Sequence, residues 1–393
     1  MKTLFPVPAA RVRADLTLAV LLLSAATLFA ESPAIEFIRV PEGGIQPQAA
    51  VDGKGTLHLV YYTGDPGAGD IFYARRASHA KDFSKPIRVN TRPGAAIAAG
   101  TIRGAQLALG KNGRVHVAWN GSRSAGTSKH PGAPMLYARL NDSGTAFEPE
   151  RDLITYAAGL DGGGSVAADA SGNVYVVWHG SAPENKQGEG GRAVFVARSR
   201  DDGKTFEAER QANAEPTGAC GCCGLKAFAD SRGTLYILYR AAKAQVNRDE
   251  ILLISTDRGD GFRIAHRHKW IVPTCPMSSA SFTETQGKTL AAWETDGQVY
   301  SALVDGKRSE VGPLFAPSGT GKRKHPVAVS NNTGDTLFVW TEGTGWQKGG
   351  SLAWQLFDAR GNARSTPETR DGIPVWSLAA AVAKPDGTFA IIH

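Results

Sequence analysis

A glycine followed six residues later by an aromatic ring recurs along the whole chain. The copies are GTLHLVY (55–61), GRVHVAW (113–119), GNVYVVW (172–178), GTLYILY (233–239), GKTLAAW (287–293), GDTLFVW (334–340) and, ending in histidine, GTFAIIH (387–393). Their glycines are 58, 59, 61, 54, 47 and 53 residues apart. Each glycine lies in a turn signal between two short apolar segments, which is the pattern of a β-hairpin. The chain is therefore built from repeated hairpins.

Each hairpin is followed by a polar loop and a third apolar segment, such as IFYARR (71–76) or AVFVARS (193–199). A fourth short strand completes the unit, and no helical period follows the first thirty residues. Four-stranded units at this period predict an all-β propeller. Seven hairpins favour seven blades, with six blades and a terminal extension as the alternative. Because the last copy ends the chain, we expect IEFIRV (35–40) to complete the final blade and close the ring.

The amino terminus has the pattern of an export signal. Lys2, Arg11 and Arg13 precede an uncharged stretch over residues 16–30, and cleavage after Ala30 fits this pattern. The stretch is shorter than the ~20 apolar residues that a membrane span needs. We therefore expect a signal peptide over 1–30, a single propeller domain over 31–393, and a periplasmic or secreted protein with no transmembrane span after cleavage.

The charge of the chain excludes one class of partner. The 44 Lys and Arg residues exceed the 37 Asp and Glu residues by seven, and they are scattered apart from the run 322–324. A nucleic-acid-binding protein carries a basic stripe interleaved with aromatic residues, and this sequence has none. We predict no nucleic-acid partner, whereas a carbohydrate or another small molecule remains open as a ligand and the oligomeric state is not predicted.

A second repeat falls at the turn after the third strand. SRDDGKTF (199–206) matches the Asp-box pattern S-x-D-x-G-x-[TS]-[WF], while STDRGDGF (255–262) and NDSGTAF (141–147) are weaker copies. In such a turn the aspartate accepts backbone N–H groups and the aromatic ring packs beneath. The sequence here resembles the Asp-box, or BNR-repeat, propellers of the sialidase superfamily. The resemblance implies that Asp201 and Asp257 are structural and lie on the face opposite the active site.

Counting back about ten residues from each turn glycine gives the residues that begin the innermost strands, around the mouth of the central channel. These are Gln46, Arg103, Asp161, Cys220 to Cys223, Cys275, His325 and Trp376. The second strand of each hairpin returns to the same face and contributes Tyr62, Asn120, His179, Arg240, Glu294 and Glu342. We name this the top face and the opposite one the Asp-box face. Function is expected on the top face, with Asp161, His179 and Glu342 facing the ligand.

All four cysteines fall on the top face, together with His325. In an oxidising compartment, a structural disulfide from Cys275 to Cys220, Cys222 or Cys223 is one interpretation. A second is a metal site of thiolates and the His325 imidazole, which would suit zinc or copper(I). A third is a reactive cysteine whose pKa is lowered by Arg103 or His325.

The C-x-C-C motif, the Arg248-Asp249 pair, Cys275-Pro276 and His325-Pro326 are similar to those of a subgroup of exported, sialidase-like bacterial propellers. For a true sialidase the wider resemblance implies an arginine triad, a Tyr/Glu nucleophile pair and an aspartic acid. Arg103, Arg240 and Glu294 are the catalytic candidates, and neither a third arginine nor the Tyr/Glu pair is assigned.

Three functions follow from these patterns. The first is an exported propeller that binds a glycan on its top face, with the Cys/His cluster as a disulfide or metal site. The second is a sialidase-like glycoside hydrolase or lyase, and the third is a non-catalytic scaffold for protein interactions.

Overall fold

The structure is a computed structural model that describes residues 1–3, 32–126 and 130–393. Residues 4–30 of the expected signal peptide lie outside the described residues. Pro33–His393 form one compact unit. None of the helices found among the described residues is long and apolar enough to cross a membrane.

The described residues form seven sheets arranged as the blades of a propeller. The first strand, β1 (Ile35–Ile38), belongs to the last blade. Blade 1 contains β2 (Ile45–Val51), β3 (Leu57–Asp65), β4 (Ala68–Arg76) and β5 (Ile87–Arg88). Blade 2 contains β6 (Gln106–Leu109), β7 (Val115–Asn120), β8 (Met135–Arg139) and β9 (Arg151–Asp152). Blade 3 contains β10 (Ser165–Ala168), β11 (Val174–Gly180), β12 (Ala193–Ser199) and β13 (Arg210–Gln211).

The remaining blades follow the same order along the chain. Blade 4 contains β14 (Lys226–Ala229), β15 (Leu235–Arg240), β16 (Glu250–Ser255) and β17 (Arg263–His268). Blade 5 contains β18 (Ser281–Thr285), β19 (Lys288–Thr295), β20 (Gln298–Asp305) and β21 (Glu310–Val311). Blade 6 contains β22 (Arg323–Ser330), β23 (Thr336–Glu342), β24 (Gly350–Phe357) and β25 (Glu368–Ile373), and blade 7 contains β26 (Ala380–Ala383), β27 (Phe389–Ile392) and β1. Short 3-10 helices cover Pro41–Gly43, Lys111–Gly113, Arg123–Ala125 and Gly188–Gly191.

The ring is closed by the first strand of the chain. β1 pairs in parallel with β27, with Ile35 opposite Phe389 and Ile38 opposite Ile392. The seven-bladed prediction and the closing role of IEFIRV are therefore confirmed. The last blade has three strands rather than four among the described residues.

The turn glycines explain why the repeat is visible in the sequence. All seven have positive φ values, between +69° at Gly287 and +92° at Gly172. This left-handed conformation costs any L-residue with a Cβ about 1–2 kcal/mol, so glycine closes each hairpin without strain. The rings at the ends of the repeats, including Trp119, Trp178, Trp293 and Trp340, are buried between blades, where they supply the apolar contact that holds neighbouring sheets together.

The first strands of all seven blades surround a central cavity of about 520 Å³. Its lining includes Lys226, whose Nζ donates to Gln106 Oε1 at 2.7 Å and to Gln48 Oε1 at 3.2 Å. No carboxylate among the described residues forms an ion pair with Lys226. Burial lowers the pKa of this ammonium group to about 8.

The Asp-box turns lie between the third and fourth strands, as expected. The carboxylate of Asp201 accepts from the Thr205 amide at 2.8 Å and from the Thr205 hydroxyl at 2.7 Å. Asp257 accepts in the same way from the Gly261 amide at 2.9 Å. Although burial acts to raise it, the hydrogen bonds from Thr205 and Ser199 lower the pKa of Asp201 to about 2. These contacts are local to each turn, so both aspartates have a structural role in the fold.

Candidate functional site

The innermost strands enter the top face through irregular backbone. Six residues other than glycine have positive φ there, among those described: Glu42, Gln46, Thr101, Met277, His325 and Trp376. Gln46 also joins three blades, because its Nε2 donates to Ala98 O at 2.6 Å and to Trp376 O at 2.7 Å. Backbone of this kind persists only where surrounding contacts impose it, and it is concentrated at functional sites.

A chain of alternating charges crosses blades 2 to 4 on this face. Arg103 Nη2 lies 2.7 Å from Asp161 Oδ1, and Asp161 Oδ2 lies 3.8 Å from Arg192 Nη1. Arg192 is in turn 3.9 Å from Glu189, whose Oε2 lies 2.9 Å from Arg248 Nη1. Two sequence candidates, Arg103 and Asp161, thus meet directly. The Asp161 side chain is 46% exposed, so a ligand can reach this pair.

A second ionic group lies beneath the surface around Arg240. Its Nη2 lies 3.1 Å from Glu250 Oε2 and 3.4 Å from Glu294 Oε2, and its guanidinium stacks 5.1 Å from the Trp270 ring centroid. Burial raises the pKa of Glu250 to about 8, against the opposing charge of Arg240, and it also raises the pKa of Glu294. One cation faces two buried carboxyl groups, and burial favours the neutral form of both.

The cysteines divide into a disulfide and two free thiols. Cys222 and Cys275 are bonded, with Cα atoms 6.2 Å apart, so Cys275 pairs with a member of the trio, as one of the sequence interpretations expected. Cys220 and Cys223 are free and buried, 1% and 2% exposed. Because Cys222 precedes blade 4 and Cys275 precedes blade 5, the disulfide joins the entries to two adjacent blades.

The two free thiols have opposite acidities. Hydrogen bonding to Cys223 and burial raise the pKa of Cys220. Burial also acts to raise the pKa of Cys223, but the hydrogen bond from Cys220 and the charge of Arg240 outweigh it and lower that pKa to about 7. The sequence pointed to Arg103 or His325 as the residue that would do this. The structure gives the role to Arg240, because Arg240 is the cation next to Cys223 in the folded ring.

His325 does not join the thiols as the metal hypothesis expected. Its Nδ1 lies 3.1 Å from Ser279 Oγ, and burial together with Lys324 lowers its pKa to about 3. The potential ligand atoms that lie within 4.8 Å of one another, among the described residues, belong instead to Glu189, Cys220, Cys222 and Cys275. Two of these sulfurs are bonded to each other. A zinc or copper(I) ion would therefore need a reduced disulfide, and the set does not fit a metal in the oxidised protein.

The remaining ligand-face candidates are less open than the sequence suggested. His179 is 2% exposed, and burial with the charge of Arg192 lowers its pKa to about 4. Glu342 is partly exposed and accepts from Trp340 Nε1 at 2.8 Å and from Arg323 Nε at 3.1 Å. Both residues lie at strand ends on the top face, as predicted.

One prominent residue was missed by the sequence analysis. Trp346, in the loop between β23 and β24, is 55% exposed and its ring centroid lies 4.7 Å from that of Trp376, with the planes at 79°. The two rings line a small pocket at the channel mouth together with Thr101, Met277 and His325. Trp346 lies outside the glycine-to-ring repeat, so the spacing of the repeat does not identify it. Its signal was a tryptophan in a loop that is otherwise glycine and polar residues.

Comparison with known proteins supports the fold of this chain. No family model and no curated protein matches this chain. Among solved structures, the Hadza microbial sialidase Hz136 is 14% identical, with a TM-score of 0.50 over 81% of this chain and 70% of that one. The Trypanosoma rangeli sialidase is 12% identical, with a TM-score of 0.51 over 77% of this chain and 52% of that one. A protein of unknown function from Dyadobacter fermentans is 15% identical, with a TM-score of 0.49 over 74% and 92%.

The chain has the β-propeller fold of these sialidase structures. At these identities the likeness describes the path of the backbone. The sialidase-like propeller expected from the Asp-boxes is thus confirmed as a fold, with the C-x-C-C motif at the entry to blade 4.

Proposed function

We propose that this sialidase-like propeller is exported and binds a carbohydrate on its top face. The observation that carries the proposal is Trp346, which exposes an aromatic face at the channel mouth. Its ring packs edge-to-face against the ring of Trp376. The flat apolar ring of an exposed tryptophan suits the C–H face of a sugar.

The polar groups around the tryptophans suit the hydroxyl or carboxylate groups of a glycan. Gly100 lies between the tryptophans and Arg103, because a Cβ built on it would clash with Arg103 Nη1 and lie 3.6 Å from the Trp346 ring. Arg103 presents a planar guanidinium beside the partly exposed Asp161. A few convergent polar groups next to an aromatic surface are the usual composition of a carbohydrate or small-molecule site.

Binding is tested on the mature chain, residues 31–393, with immobilised sialosides and uronate-containing glycans. A Trp346→Ala variant should lose most of the binding, while Tyr156→Ala, which removes an aromatic residue that is 39% exposed and packs on Phe195, should keep it. Wild-type protein that bound none of these glycans would favour the interaction scaffold instead. Cell fractionation tests export: the proposal expects a periplasmic or extracellular chain that starts near residue 31.

The second candidate is a glycoside hydrolase or lyase, and the observation that favours it is the carboxylate pair around Arg240. Glycosidases use two carboxyl groups, one of which has a raised pKa so that it can donate a proton. Glu250 and Glu294 have raised pKa values but are only 5% and 1% exposed at their side chains. We rank binding first because a glycan would have to open this part of the face to reach them.

The enzyme candidate is tested by turnover of the same sialosides and uronate glycans. Loss of product with Glu294→Gln, while binding persists, would support catalysis through this carboxyl group. Turnover that survived the substitution would remove Glu294 from the mechanism.

A further inference from the structure

The free thiols have the spacing of a redox dithiol. Cys220 and Cys223 are the ends of a C-x-x-C segment, CGCC, that folds as a tight turn with the Cys223 amide 3.4 Å from the Cys220 carbonyl. The Gly221 amide in this turn donates to Glu189 Oε1 at 2.8 Å, which fixes the turn against blade 3. A C-x-x-C turn brings two thiols close enough to form a reversible disulfide.

The disulfide begins within the same turn. Cys222 lies between the two free thiols in sequence, and its Sγ is 3.5 Å from the Sγ of Cys220. Thiol–disulfide exchange starts when a sulfur approaches one sulfur of a disulfide and displaces the other. Cys220 is in van der Waals contact with such a sulfur. Because its Sγ also lies within 4.8 Å of Cys275 Sγ, the Cys220 side chain has to rotate into line with the Cys222–Cys275 bond before it can displace Cys275.

We propose that the four cysteines form an internal thiol–disulfide relay, in which the buried dithiol of Cys220 and Cys223 exchanges with the disulfide between Cys222 and Cys275. The relay converts one disulfide into another. It transfers two electrons from the interior to the surface of the top face, and its product is an open dithiol at the entries to blades 4 and 5.

The exchange balances without an added oxidant or reductant. Cys223 first releases its proton to solvent and then takes the proton of Cys220, whose thiolate attacks Cys222 Sγ; the Cys222–Cys275 bond breaks, and Cys275 leaves as a thiolate. Cys275 takes that proton from Cys223, and the Cys223 thiolate then attacks the Cys220 sulfur of the Cys220–Cys222 bond. Cys222 leaves as a thiolate and takes up one proton from solvent, so two protons leave Cys220 and Cys223 and two are bound by Cys222 and Cys275. Cys220 and Cys223 are oxidised by two electrons, and Cys222 and Cys275 are reduced by two.

The surroundings of the cluster suit anionic sulfur. The charge of Arg240 acts to lower the pKa of Cys223. Arg248, which lies beside Glu189, acts in the same direction on the pKa of Cys220. The Nε atoms of both arginines are buried without a hydrogen-bond partner among the described residues. Both arginines also pair with carboxylates, Arg240 with Glu250 and Glu294 and Arg248 with Glu189, and their positive charge stabilises the thiolates formed during exchange.

Tryptic peptides report the relay directly. Cleavage after Arg210 and Lys226 places Cys220, Cys222 and Cys223 in peptide 211–226, and cleavage after Lys269 and Lys288 places Cys275 in peptide 270–288. The disulfide in the structure joins these peptides, whereas a Cys220–Cys223 disulfide leaves 270–288 free. The mature chain is held at pH 8 without oxidant, quenched with acid, alkylated and analysed by mass spectrometry.

The relay predicts that wild-type protein contains one disulfide per chain and both linkages. Cys223→Ser should stop at the Cys220–Cys222 intermediate and increase the free 270–288 peptide, while Cys220→Ser should keep the two peptides fully joined. Cys220→Ala provides a second version of that control if the serine variant does not fold. Peptides that stay fully joined in both the wild type and Cys223→Ser would overturn the relay. So would a chain with no disulfide and a stoichiometric zinc or copper ion.

Discussion

The two faces of the propeller follow different rules. On the Asp-box face, seven glycines take up the positive φ of the hairpin turns, and Asp201 and Asp257 bond to groups within four residues of themselves. On the top face, the entries to the innermost strands place residues such as Gln46 and His325 at positive φ, and buried Arg240 faces carboxyl groups of blades 4 and 5. The Asp-box face also has side chains at positive φ, but Asn112 and Gln286 lie in hairpin turns next to a glycine. The hairpin and Asp-box turns are closed by residues that are close in sequence, whereas the top-face contacts join loops from different blades.

The largest expected effect tests the buried charges of the top face. Arg240→Ala removes the cation that contacts both buried Glu250 and buried Glu294, so we expect a loss of about 3–5 kcal/mol in the free energy of unfolding at pH 7. Arg210→Ala is the matched change on the other face, where the partner Asp260 is exposed, and should have little effect. Urea denaturation measures both. Equal losses would contradict the difference between the faces.

Lys226 is a further buried charge, and it lies in the central channel below the top face. Burial lowers the pKa of Lys226 to about 8, so its charge opposes folding at pH 7. Lys226→Met should therefore raise the free energy of unfolding by about 2 kcal/mol, less than the whole shift implies because the channel admits water. The pH dependence gives the sign: the wild type gains stability as the pH rises from about 8 to 10.5, so the advantage of the variant should disappear there. Urea titrations at pH 7 and pH 10 test this, and a difference that does not change with pH would contradict the buried ammonium.

Two substitutions compare the backbone strain of the two faces. One adds a Cβ at a positive φ, and the other removes a side chain from a positive φ. Gly172→Ala forces a Cβ into a turn at φ +92°, and we expect a loss of about 1–2 kcal/mol. Thr101→Gly relieves a β-branched residue at φ +69° and should stabilise the protein by up to about 1 kcal/mol. Thermal denaturation by calorimetry gives both values. A stability loss in Thr101→Gly would show that its side-chain contacts outweigh the strain.

The smallest effect belongs to an Asp-box. Asp201→Ala removes hydrogen bonds to a surface turn, so we expect a loss of about 1 kcal/mol at pH 7. Because the pKa of Asp201 is lowered to about 2, this contribution is present above pH 4 and fades as the pH falls toward 2. Urea titrations at pH 7 and pH 3 show the trend, and glycan binding should be unchanged at pH 7. A change in binding would place function on the Asp-box face.

The amino-acid sequence by itself determined the architecture of this protein. Hairpin glycines, their spacing and the Asp-box are local signals, because turn conformation depends on residues that are neighbours along the chain. From them followed seven blades, the closing segment 35–40 and the assignment of all the cysteines to one face. The sequence also predicted a disulfide between Cys275 and one of Cys220, Cys222 and Cys223, without indicating which of the three.

Only the tertiary structure decided how the residues of the top face meet. It paired Cys222 with Cys275, put Glu189 rather than His325 beside the sulfurs, and buried Glu294 against Arg240. It also brought Trp346 against Trp376. These contacts join loops from different blades, and their distances depend on how the sheets twist and pack around the channel. Spacing along the chain carries no information about that packing, so the face was predictable from sequence and the partners within it were not.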